Sequence, residues 1–194
     1  MMTVWRATLI ALTGVTAMIA GCGTTPDSVF YTLSTPAPAS GGNSSLSVVV
    51  GPVTLPADVD RPQLVTRTGE NRVEIQEFHR WAQPLQAEIP RVISADLGRQ
   101  LDTLNTGVFS DVAISDPDYR VLIDVQRFDL RRGESATVAA LWTVRSRSGS
   151  TRTGYTQAEE RVADASYEAM VAAQSRALGV VSKEIGNAIQ ALQR

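Results

Sequence analysis

Residues 119–145, YRVLIDVQRFDLRRGESATVAALWTVR, decide the fold. Tyr119, Val121, Ile123 and Val125 recur at every second position, and so do Val138, Ala140, Trp142 and Val144. A period of two places such residues on one side of a pleated strand. Between the two series lies Arg131 to Glu134, a turn signal containing Gly133. The stretch therefore predicts an antiparallel hairpin of Tyr119–Leu130 against Thr137–Arg145. Ser146 to Thr151 reads as a second turn. Thr153–Val162 follows as a third strand, and its polar composition assigns it to an exposed edge.

On the C-terminal side, Ser166 to Gln193 is the clearest helix. Tyr167, Val171, Leu178, Val181, Ile185, Ala188 and Leu192 form one apolar stripe, and Asp164 or Ser166 can cap its start. The stripe comes close to a seven-residue repeat but spans under four heptads, so docking on the chain's own sheet is expected over a coiled coil. On the N-terminal side, Leu85, Ile89, Val92, Ile93, Leu97, Leu101 and Leu104 recur at three and four, predicting a helix over Pro84–Leu104. Pro90 sits inside it, so the helix either begins there or kinks. Asn105 to Gly107 reads as its stop. Gln63–Arg67 and Arg72–Phe78 flank Thr68 to Asn71 as a hairpin, and Leu46–Val53 is an apolar strand. The expected fold is α+β: a mostly antiparallel sheet with two helices on one face, preceded by a signal peptide and a flexible tether.

The N-terminus reads as an address. Met1 to Arg6 is a short region with one positive charge, and Ala7 to Ala20 is an apolar run too short to span a bilayer. Ile19, Ala20, Gly21 and Cys22 then look like a bacterial lipobox. The expected organisation is a lipoprotein signal peptide over 1–21, a lipidated Cys22 with its tether over 22–45, and the folded domain over 46–194. The tether is rich in Pro, Gly, Ser and Thr, and is interrupted by a short strand signal, Val29 to Leu33. One acyl chain holds a protein only marginally, whereas the two or three that a lipobox cysteine receives make the attachment stable. Gly23, in place of the Asp that retains many lipoproteins at the inner membrane, points to the outer membrane with the domain facing the periplasm.

Composition narrows the function. The formal net charge is −2, and removal of Arg6 with the signal makes it more negative; Lys183 is the only lysine. This argues against nucleic acid as a partner. The single cysteine rules out an intrachain disulfide. His79, the only histidine, has no nucleophile motif to serve, and Gly133 to Thr137 lacks the final glycine of a nucleophile elbow. Asp116 and Asp118 flank a proline without the spacing of a calcium loop. No enzyme, no metal site and no cofactor beyond the covalent lipid on Cys22 is expected.

Four blocks carry a family resemblance: Phe30 to Leu33 shortly after the cysteine; Val50 to Val53 with Leu55 and Pro56; Asp60 to Val65; and Arg80 to Leu85. Together with Asp118 to Val121 and the closing helix, their order resembles the ABC-type transport auxiliary lipoproteins. The resemblance implies a periplasm-facing accessory of a system that moves lipids or other hydrophobic molecules between membranes. Its implied partners are a mammalian-cell-entry (MCE) domain protein and inner-membrane ABC transporter components, and a ring-forming homo-oligomer is also among its implications. The partner-binding candidates are Asp60, Arg61, Pro62, Arg80 and Trp81. For the first three, the alternative is a structural turn with a local Asp60–Arg61 ion pair. For Trp81 it is a core aromatic closing the helix onto the sheet. A self-associating structural envelope lipoprotein and a direct lipid carrier are the competing functions.

Overall fold

The sheet is built on β6 (Tyr119–Leu130), which pairs along both edges. The computed structural model describes residues 26–34, 42–109 and 114–193; the proposed signal peptide and Cys22 lie outside them. Along one edge β6 runs antiparallel to β7 (Ser135–Ser146), from Tyr119↔Ser146 to Leu130↔Ala136. β7 in turn pairs antiparallel with β8 (Thr151–Arg161), which ends the sheet on that side. A register shift between Val125 and Arg127 resets the alternation. Tyr119, Val121, Ile123 and Val125 face the core before it, and Phe128 and Leu130 after it.

The other edge of β6 is shared. Its first half pairs in parallel with β2 (Val48–Thr54), and Leu130 at its end meets Thr66 of β3 (Gln63–Gly69). β3 forms an antiparallel hairpin with β4 (Arg72–Trp81), and β1 (Val29–Tyr31) adds in parallel beyond β4. β5 (Thr106–Val108) flanks β2 in parallel. Among the described residues the sheet has eight strands and is mixed. Its three hairpin-type ladders, β3·β4, β6·β7 and β7·β8, are antiparallel, as expected from their short turns. The parallel pairs join strands separated by long connections, which a parallel neighbour requires.

Two helices cover one face. α1 (Leu85–Gln100) packs on β2 and β5, α2 (Tyr167–Leu192) packs on β6, β7 and β8, and the two helices touch each other. Helix α2 starts as its sequence indicates: Ser166 accepts from the Ala169 N–H at 3.1 Å, and Asp164 accepts from the Ser166 N–H at 2.8 Å. Its buried face is wider than the seven-residue stripe and includes Met170, Gln174 and Ile189, because it meets both sheet and helix.

Helix α1 starts where its period indicates, with Pro84 at the N-cap, and departs from expectation at its other end. It begins at Leu85 and runs through a buried Pro90. It ends at Gln100 rather than beside Asn105. Asp102 takes a left-handed φ of 52°, and the Thr103 N–H returns to the Gly98 carbonyl at 2.9 Å, closing the last turn. Leu104 is consequently exposed, and most of Asn105 to Gly107, expected as a helix stop, lies in β5 (Thr106–Val108).

Candidate partner-binding cleft

Two of the family-like blocks, some twenty residues apart in the chain, meet across the open end of the β3–β4 hairpin. After β2 the chain turns on Pro56, whose carbonyl accepts from the Val59 and Asp60 N–H groups at 3.1 Å each. The Arg61 N–H reaches the Val59 carbonyl at 2.8 Å. Pro62 has no N–H to offer, but its carbonyl accepts from the Trp81 N–H at 2.7 Å. With Gln63 paired to Arg80, this bond draws residues 60–62 against residues 81–85 at the entrance of α1. A cleft of about 420 Å³ lies between them, lined by Asp60, Arg61, Pro62, Trp81, Ala82, Gln83, Pro84 and Leu85.

The side chains divide between wall and rim. Trp81 is buried, with its ring 6.1 Å from Phe128 at an angle of 57°, so it forms the cleft's wall and part of the core. Asp60 is exposed, and its carboxylate accepts from the Gln86 amide at 3.1 Å. The local Asp60–Arg61 ion pair is absent among the described residues. The Arg61 guanidinium is half-buried, and its Nε has no hydrogen-bond partner there. Arg80 stands apart from the cleft lining, and its Nε donates to the Glu77 carbonyl at 3.0 Å. The structure therefore brings together Asp60, Arg61, Pro62 and Trp81, and leaves Arg80 outside the group.

Behind the cleft, β1 is clamped to the body by groups that the sequence pattern did not single out. The Ala82 N–H donates to the Tyr31 carbonyl at 2.8 Å. Glu88, buried in the first turn of α1, accepts from the Leu33 N–H at 2.9 Å and from the Thr32 hydroxyl. The Ser34 N–H donates to the Ser175 hydroxyl at 3.1 Å. Glu88 was the one legible signal, as an acidic residue on the apolar side of a helix N-terminus.

His79 is occupied in packing. Its Nδ1 lies 2.7 Å from the Tyr31 hydroxyl, and its ring stacks on Tyr167 with centroids 3.6 Å apart. The Arg132 guanidinium sits 5.1 Å from the centre of the Tyr167 ring, a cation–π distance. Burial, followed by the nearby Glu168 and Tyr167, raises the Tyr31 phenol above its ordinary pKa.

Other carboxylates have structural partners. Hydrogen bonds from the Ser47 N–H and hydroxyl, at 2.9 and 2.7 Å, hold Asp118 below the usual carboxylate range, and Arg147 adds to this. This ties the start of β6 to the start of β2. Burial would raise Asp129, but hydrogen bonds from Arg127 and Arg67 outweigh it and the carboxyl is lowered. Among the described residues, no group of three or more His, Cys, Asp and Glu side chains is arranged to hold a metal, and no helix is long and apolar enough to cross a membrane.

Two solved structures are similar in fold. A crystal structure of an uncharacterised protein superposes with a TM-score of 0.70 at 20% identity, covering 84% of this chain and 99% of that one. A protein from Xanthomonas campestris gives 0.61 at 19% identity, covering 81% and 92%. No curated protein matches. Residues 31–186 match the ABC-type transport auxiliary lipoprotein component family, and with most of the chain and every element bordering the cleft inside that match, the protein belongs to this family.

Proposed function

We propose that this lipoprotein is a lipid-anchored, periplasm-facing accessory of an MCE- and ABC-type intermembrane lipid transport system, and that it works by holding a partner protein rather than by catalysis. The observation that carries the reading is the convergence of Asp60 to Pro62 with Trp81 to Leu85 on one cleft. The cleft offers an apolar wall beside an unpaired guanidinium, and that combination suits a partner segment presenting an apolar side chain next to a carboxylate. Family membership supports the transport setting, and the lipobox supports the anchor. The outer membrane is the proposed location, on the strength of Gly23 after the cysteine.

Photo-crosslinking in the native cell tests the proposal. A photoreactive residue at the exposed rim positions Gln83 and Gln86 is expected to capture an MCE-domain protein, while one at Arg152 on β8 is not. Capture of nothing but further copies of this chain from the rim would overturn the proposal in favour of a self-associating envelope lipoprotein.

A further inference from the structure

Between Cys22 and Val29 there are seven residue steps, which fully extended span at most about 25 Å. Val29 to Ser34 are fixed to the body. Val29 pairs with His79, Tyr31 with Trp81, and Leu33 and Ser34 are held by Glu88 and Ser175. A folded body of this length is about 40 Å across, so the leash is shorter than the domain it holds. The far side of the domain cannot turn to the bilayer on such a leash.

β1 ends the sheet, with β4 on one side and no further strand on the other among the described residues. Its first two residues are exposed apolar side chains, Phe30 at 62% and Val29 at 42%. They are the first apolar groups of the folded body to follow the anchor. From the leash length and from the exposed Phe30, which points to the opposite face of the strand from the buried Tyr31, we infer that the β1 edge of the domain rests on the lipid surface, with Phe30 seated at the headgroup–acyl boundary. This rests on the lipid-anchored reading above. It adds an orientation: β1 faces the bilayer, and β8, at the other end of the strand order, is held away from it. An aromatic side chain at that depth has its apolar body in the acyl boundary, as interfacial anchors do.

The mature lipidated chain offers no free thiol of its own, because Cys22 is the sole cysteine and acylation blocks it. Phe30→Cys and Tyr155→Cys, both at exposed positions, each introduce one free thiol for an environment-sensitive fluorophore. The two proteins are reconstituted into phosphatidylethanolamine–phosphatidylglycerol vesicles with or without brominated acyl chains. Quenching at position 30 is expected to be at least about twice that at position 155, with a blue-shifted emission. Flotation of the protein with the vesicles, together with equal and weak quenching at both positions, overturns the oriented edge and leaves the anchor standing. Failure to float overturns the anchor and the orientation with it.

Discussion

Two aspartate–arginine regions lie near opposite ends of β3, and the protein treats them differently. Asp129 at the end of β6 is buried and held by Arg67 at 3.2 Å and Arg127 at 2.7 Å. Asp60 and Arg61, adjacent in sequence at the mouth of the cleft, do not pair with each other, and Arg61 Nε has no partner among the described residues. Adjacency in the chain points successive side chains apart, whereas cross-strand neighbours are brought together by the register. The first region is spent on holding the sheet. In the second, Asp60 is exposed while Arg61 is half-buried and makes no ion pair among the described residues.

The largest test of that contrast is aimed at the body. Trp142 is buried, its Nε1 donates to the Thr156 hydroxyl at 2.9 Å, and a Cβ on Gly154 across the ladder would lie 2.2 Å from its ring. Trp142→Ala should cost about 3–5 kcal/mol, measured by urea unfolding. A loss under about 1 kcal/mol would mean that the β6–β8 ladders are not the stability centre. Asp129→Ala comes next. It leaves two guanidinium groups without their partner, and because Arg127 is 46% exposed the expected loss is about 2 kcal/mol rather than the full cost of breaking a buried pair. Glu88→Ala should cost about 1–2 kcal/mol by stranding the buried Leu33 N–H. Its more specific effect is faster proteolysis within residues 29–34, read by mass spectrometry.

Acid titration sharpens the contrast further. Asp118 and Asp129 have folded pKa values below their unfolded ones, so their contribution is fully present above the ordinary carboxylate pKa and is lost as pH falls through the lowered values. Asp96, raised mainly by burial and only partly offset by Ser182 and Arg99, has the opposite sign: its contribution weakens as pH climbs from the ordinary value to the raised one. Asp118→Asn should therefore flatten the acid limb of stability against pH, and an unchanged limb would remove the Ser47–Asp118 clamp from the account. The smallest effect on stability belongs to the cleft. Arg61→Ala should change it by no more than about 0.5 kcal/mol while reducing partner capture from Gln83. A large destabilisation would make Arg61 a structural residue after all.

Much of the body was legible because its signals are periodic. The alternation from Tyr119 to Val144 predicted β6 and β7, the apolar stripe after Ser166 predicted α2, and the polar third strand predicted an edge. The end of α1 was not legible, because Asp102 supplies the left-handed residue that the pattern assigned to the glycine at 107. The cleft was half legible. Its two blocks stood out by resemblance, but nothing in their spacing showed that they meet, or that Trp81 would be wall and Arg80 would stay outside.

By itself the sequence determined which faces are apolar and where turns break them, since burial periodicity is a local property of each element. It also carried the family-like blocks. Only the tertiary structure decided that β6 takes β2 as a parallel neighbour, that Arg67 joins Arg127 on Asp129 from across the sheet, that Glu88 clamps β1, and that residues 60–62 face 81–85. Each of these joins residues far apart in the chain, and such pairings depend on how whole elements pack, which no local period records.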